Sequence, residues 1–233
     1  MRFFEITEPA DRQKIEQAMQ SFVQFISGGE ELDHDEVADK LYQSLQQFGV
    51  NDVETTQSDL VDAGDMNLNA SYDPADDEDG EDPINIELVF SEEDDTISFS
   101  PQGVSMIKDR IVDALEHEMI HLKQFRKRNF AKQRDYRSKS DRDDIKQAQE
   151  YMGSDDEIEA FAKNIASELT RKVDKDGALQ LLRMASKTAQ FKDEMGNLLS
   201  PNLFGYLATW DFDTKNPVIK KLLKKIYNYI QMS

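Results

Sequence analysis

The chain contains no cysteine, which excludes disulfide scaffolds, Cys-ligated zinc ribbons and thiol nucleophiles, and which fits a reducing compartment. It also lacks any apolar run long enough to span a bilayer, and the patch from Met1 to Ile6 is too short for a signal-peptide core. No membrane association is therefore expected, and the expected location is cytoplasmic. Positive charge is scarce as well: 28 Lys and Arg stand against 47 Asp and Glu, a formal net charge of −19. Phosphate repulsion makes nucleic acid an unfavourable partner for such a chain, and basic or neutral proteins easier ones. Hydrophobic residues make up only 38%, yet Leu, Ile, Phe and Met recur in periodic runs. That pattern argues for a folded protein with a heavily charged surface.

A chain of 233 residues can bury one sizeable core, and the expectation is a single domain over residues 1–233. Ile15, Met19, Phe22, Val23 and Ile26 stand at helical spacing from about Pro9 to the stop at Gly28-Gly29. Val37, Leu41, Leu45 and Phe48 repeat the logic from Asp35, with Gly49 as the stop. Residues 1–50 should thus form a helical hairpin. Asn67 to Tyr72, Ile84 to Phe90 and Thr96 to Ser100 favour strands, and the simplest result is a small antiparallel sheet.

From Pro101 the pattern is helical, with Ile107, Ile111, Ala114, Leu115, Leu122 and Phe125 on one face. Helical spacing resumes at Ile158, Phe161, Ile165 and Leu169, then at Leu179, Leu182 and Ala185, with a break at Asp174 to Gly177. Asn216-Pro217 opens a last helix that buries Ile219, Leu222, Leu223, Ile226 and Ile230. The fold class is α+β and mostly helical, the sheet preceding the long helix.

That long helix carries His117-Glu118-Met119-Ile120-His121, an H-E-x-x-H sequence holding two of the chain's three histidines. Residues four apart share a helix face, so both imidazoles can reach one ion while Glu118 reaches a water beside it. The expected ion is Zn²⁺. Catalytic zinc sites use three protein ligands and leave the fourth position open, so one more ligand is required. His34 is remote in sequence but not excluded. The stretch from Ser154 to Ala162 is the better source, because its acidic start and small alanines let a carboxylate helix approach another helix. Glu157, with Ala160 three residues on, is preferred; Glu159, with Ala162 three residues on, stays open.

The motif, together with Tyr151-Met152, the run from Asp156 to Ala162 and the closing Leu223 to Ile230, resembles the gluzincin class of zinc metallopeptidases. More narrowly it resembles small H-E-x-x-H proteins encoded by tailed bacteriophages. The resemblance covers about the last two thirds of the chain. It implies a zincin-like core over residues 66–233, His117, His121 and Glu157 as zinc ligands, Glu118 as general base, and a protein or peptide substrate hydrolysed by zinc-activated water. It also implies host cytoplasm or virion as the location. Tyr151, Tyr136 or a basic-block arginine would supply the oxyanion donor, and Ile84 to Phe90 a strand for the substrate peptide. The sequence departs from the large gluzincins in showing no second catalytic domain. The alternative expectation is a non-catalytic phage structural or interaction protein that retains a metal site.

Two charged stretches complete the reading. Asp73 to Pro83 is strongly acidic, but aligning Gly80 with the sixth position of a calcium loop puts Ala75 first and Ile86 twelfth, so that pattern fails. A solvated, mobile loop is expected. Arg126 to Arg134, continuing through Arg137, Lys139 and Arg142, is the only basic block; a solvated helix face or a match to the acidic loop is favoured over nucleic acid.

Overall fold

The computed structural model describes residues 9–131, 145–185 and 200–232. It is mostly helical with small sheets, an α+β arrangement, and its contacts gather into two compact units, Met1–Ala131 and Lys132–Ser233. The apolar start at Phe3, Phe4 and Ile6 lies outside the described residues.

The first unit opens with α1 (Pro9–Ala18) and α2 (Gln20–Ile26), nearly continuous through Met19, whose N–H still donates to Ile15 O. Ile15, Met19, Phe22 and Ile26 fall on one face and are fully buried, as a 3.6-residue period requires. After the two-residue strand β1 (Leu32–Asp33), Asp33 caps α3 (His34–Leu45) by accepting from the N–H groups of Asp35 and Glu36. A 3₁₀ turn at Gln46–Phe48 ends on Gly49, whose φ of 81° lies in the left-handed region.

The sheet differs from the expected one. Its strands are β2 (Val50–Ser58), β3 (Met66–Tyr72) and β4 (Ile84–Ser91), in the order β2-β4-β3, with β2 parallel and β3 antiparallel to β4. The sheet is therefore mixed. β2 escapes a period-2 reading because only Val50 and Val53 are buried along it, the rest being Asn, Asp, Glu, Thr, Gln and Ser on an outer strand. β4 is central: Ile84, Ile86, Leu88 and Phe90 are buried on one face, and Glu87 on the other accepts from Thr56 and Asn69. Both its edges are taken, so Ile84 to Phe90 cannot receive a peptide; β3 is the outer strand on the side that packs against the long helix. The expected third strand shrinks to β5 (Thr96–Ile97), paired with β1.

The acidic stretch is largely exposed, as expected, but it is not a loop: it folds into a short helix. Asp73 accepts from Ala75 N–H, Pro74 takes the first helical position, and Gly80 closes α4 (Pro74–Asp79) in the left-handed region, at φ 84°. Asp77 is buried and accepts from Tyr72 Oη at 2.9 Å and from both the Nε and Nη2 of Arg126, at 2.9 and 2.5 Å. The basic block thus begins with a match to the acidic stretch; Lys132 and its later members lie outside the described residues. Burial, then Asp77, pushes the Tyr72 hydroxyl up. Asp77→Ala removes the buried acceptor of Tyr72 and of the more exposed Arg126 and should cost about 1–2 kcal/mol in urea unfolding, whereas Arg126→Met leaves the buried Asp77 carboxylate without its cation and should cost about 2–3 kcal/mol. An unchanged midpoint for Asp77→Ala would refute this latch.

The long helix α5 (Pro101–Lys127) starts at a Ser100 cap that accepts from Gly103 N–H at 3.1 Å, with Pro101 following. Arg126 and Lys127 in its last turn suit the negative end of the helix dipole. Val104, Ile111, Val112 and Leu115 join the same core as α1, α2, α3 and the sheet. The N-terminal helices therefore help bury the first half of the motif helix.

The second unit is helical: α6 (Ile145–Met152), α7 (Asp155–Lys172), α8 (Lys175–Ala185), α9 (Pro201–Thr209) and α10 (Pro217–Met232). Ile158, Ala162, Ile165 and Leu169 of α7 pack with Ile219, Leu222, Ile226 and Ile230 of α10 and with Leu203, Tyr206 and Leu207 of α9. The break expected at Asp174 to Gly177 is itself the opening of α8, since Asp174 accepts from Gly177 N–H at 2.8 Å. Asn216 caps α10 by accepting from Val218 N–H at 2.9 Å. Among the described residues, no helix is long and apolar enough to cross a membrane.

Candidate metal centre

His117 and His121 lie on one face of α5, one turn apart and both buried. Their Nε2 atoms are 3.1 Å apart, with ring centroids at 4.8 Å and planes at 70°. Two nitrogens at that separation, each about 2.0–2.1 Å from a shared ion, would subtend roughly 100° there, close to tetrahedral. The Nε2 atoms of the two rings thus face a common point. Glu118, the next residue, is only half-buried, so its carboxylate stays open to water while the imidazoles do not.

Arg12 of α1 crosses the turn before His117. Its Nη1 donates to Asp113 at 2.8 Å and to Glu116 at 2.6 Å, and its Nε donates to Glu16 at 3.0 Å. Burial opposes the guanidinium charge, but hydrogen bonding and attraction to Asp113, then to Glu116, outweigh it and raise the pKa above the ordinary arginine value. Two carboxylates in the turn before the histidines are thereby committed to an ion pair. Lys123 adds a second pair, to Asp11 of α1 at 2.5 Å. Arg12 carries no signal in the sequence, since its partners lie 101 and 104 residues away and leave no periodic pattern.

Glu157 is placed by its own helix start. Ser154 caps α7 by accepting from Glu157 N–H at 3.3 Å, and Asp155, Asp156 and Glu157 fill the first turn, where carboxylates suit the positive end of the dipole. Glu157 is buried, and its negative charge adds to burial in raising the pKa of Tyr206. Glu159 is engaged otherwise: its carboxylate accepts from Lys225 Nζ and Tyr229 Oη of α10. Burial lowers Lys225 and pushes the Tyr229 hydroxyl up to about 12.

His117, His121 and Glu157 each offer a ligand atom, and those atoms lie within 4.8 Å of one another, a buried His-His-Glu group that could hold a metal ion. Two imidazoles and a carboxylate are the donor set expected of an open zinc site. His34 does not belong to the group: it opens α3 and stacks on Phe90 at 3.8 Å, with planes 5° apart. Tyr151 is half-buried on α6, and Tyr136 lies outside the described residues. Arg128 stacks over Phe125 at 4.7 Å and donates to Ala131 O. Comparison with protein-family models, curated proteins and solved structures finds no match.

Proposed function

We propose that this chain is a zinc-dependent, metallopeptidase-like hydrolase of the gluzincin type, with a zincin-like core, acting on protein or peptide. The observation that carries the reading is the grouping of His117, His121 and Glu157 beside Glu118, the glutamate of the H-E-x-x-H sequence. His117, His121 and Glu157 would hold Zn²⁺, leaving one position open. When bound, zinc lowers the pKa of a coordinated water toward neutrality and polarises a carbonyl.

The remaining work belongs to the chain. Glu118 takes the proton of the attacking water and delivers it to the leaving amine, which its half-buried carboxylate is free to do. The outer edge of β3 can pair with an extended peptide, its backbone hydrogen bonds setting the direction of the substrate. The experiment is hydrolysis of a denatured-protein substrate by zinc-loaded full-length chain, with and without Glu118→Gln. Cleavage that disappears with Glu118→Gln supports the proposal. An intact zinc-loaded protein that cuts neither this substrate nor partners co-expressed with it would favour a metal-holding structural or interaction protein instead.

A further inference from the structure

His121 has a second polar contact. Its Nδ1 lies 3.0 Å from Oε1 of Gln124, both residues being buried. Gln124 stands three residues after His121 and seven after His117, on the same face of α5. An amide oxygen only accepts, so the shared proton resides on His121 Nδ1. A neutral imidazole then has its lone pair at Nε2, the atom that faces His117 Nε2 at 3.1 Å.

We infer that Gln124 is a positioning residue that locks His121 in its Nδ1–H tautomer and orients the ring, so that Nε2 is set as a metal ligand before any ion arrives. This rests on the proposed metal reading. Without the Gln124 acceptor, this contact no longer favours one tautomer or ring orientation, and the Nε2 lone pair must be selected at the moment of binding. Outer partners of metal-ligating histidines typically contribute about 10–100-fold in metal affinity. A carboxylate in the same place retains the acceptor, whereas a thioether of similar length removes it.

The test uses the full chain. In the metal-free native protein, a long-range ¹H–¹⁵N spectrum should show His121 protonated at Nδ1 and unprotonated at Nε2; the opposite tautomer overturns the inference. Zinc affinity is then measured by competition with a chromophoric chelator, with far-UV circular dichroism as the check on folding. Gln124→Met should bind zinc about 10–100-fold more weakly than native, and Gln124→Glu should bind at least as tightly as native. Equal affinity for Gln124→Met and native would overturn the inference, as would equal losses in both variants. His117→Ala separates the two levels: if it loses zinc while Gln124→Met does not, the metal site stands and the role of Gln124 falls. If His117→Ala also keeps its zinc, the metal reading itself fails.

Discussion

His117→Ala, His121→Ala and Glu157→Ala should each lose stoichiometric zinc on dialysis, whereas Glu159→Ala should keep it. Zinc bound by a full set of four protein ligands is worth about 10–16 kcal/mol, so one ligand carries roughly 3–4 kcal/mol, or about 10²–10³-fold in affinity. A site with only three protein ligands has no spare donor to absorb that loss. The Glu159 control is informative because that carboxylate is already committed to Lys225 and Tyr229. Its removal leaves those two groups unmatched inside the second unit, which costs stability, not zinc. Metal content by mass spectrometry after dialysis reads all four variants. Zinc kept by Glu157→Ala but lost by Glu159→Ala would exchange the two roles.

Glu118→Gln should abolish hydrolysis while leaving zinc in place. The amide has the shape of the carboxylate but cannot accept the water's proton at neutral pH, and positioned general bases contribute about 10²–10⁴-fold. Because Glu118 is not in the His-His-Glu group, affinity for zinc should stay within about twofold of native. The drop should fall on kcat, since the group acts on the reacting water and not on the peptide's remote contacts. A variant that retains more than about a tenth of native kcat would remove Glu118 from the mechanism.

Parts of this chain differ in how much of them can be read from sequence, and the reasons are physical. The motif helix is legible because Ile111, Leu115 and Phe125 report the buried face directly, and the H-E-x-x-H spacing then puts both imidazoles on one side. The preference between Glu157 and Glu159 is not legible, since each has an alanine three residues later; what distinguishes them is Lys225 and Tyr229, 66 and 70 residues from Glu159. β2 is hidden because an outer strand needs few apolar residues, and Val50 and Val53 do not alternate.

The acidic stretch teaches a different lesson. Its charge implies solvated chain, which most of it is, yet the cap at Asp73, Pro74 behind it and Gly80 at the end are local helix signals that make it a helix and not a loop. The burial of Asp77 depends on Arg126, 49 residues away, and no window of sequence contains both. Gln124 stands between these cases. Its i+3 spacing from His121 was visible, but only the 3.0 Å contact with Nδ1 distinguishes it from an ordinary polar helix residue.

The most direct test is an anomalous difference map, recorded at the zinc absorption edge from crystals of the zinc-loaded full-length chain. One peak should lie within about 2.0–2.2 Å of Nε2 of His117, Nε2 of His121 and a carboxylate oxygen of Glu157. A zinc peak coordinated by other residues, or no ordered zinc at these three, would contradict the proposed His117, His121 and Glu157 metal site.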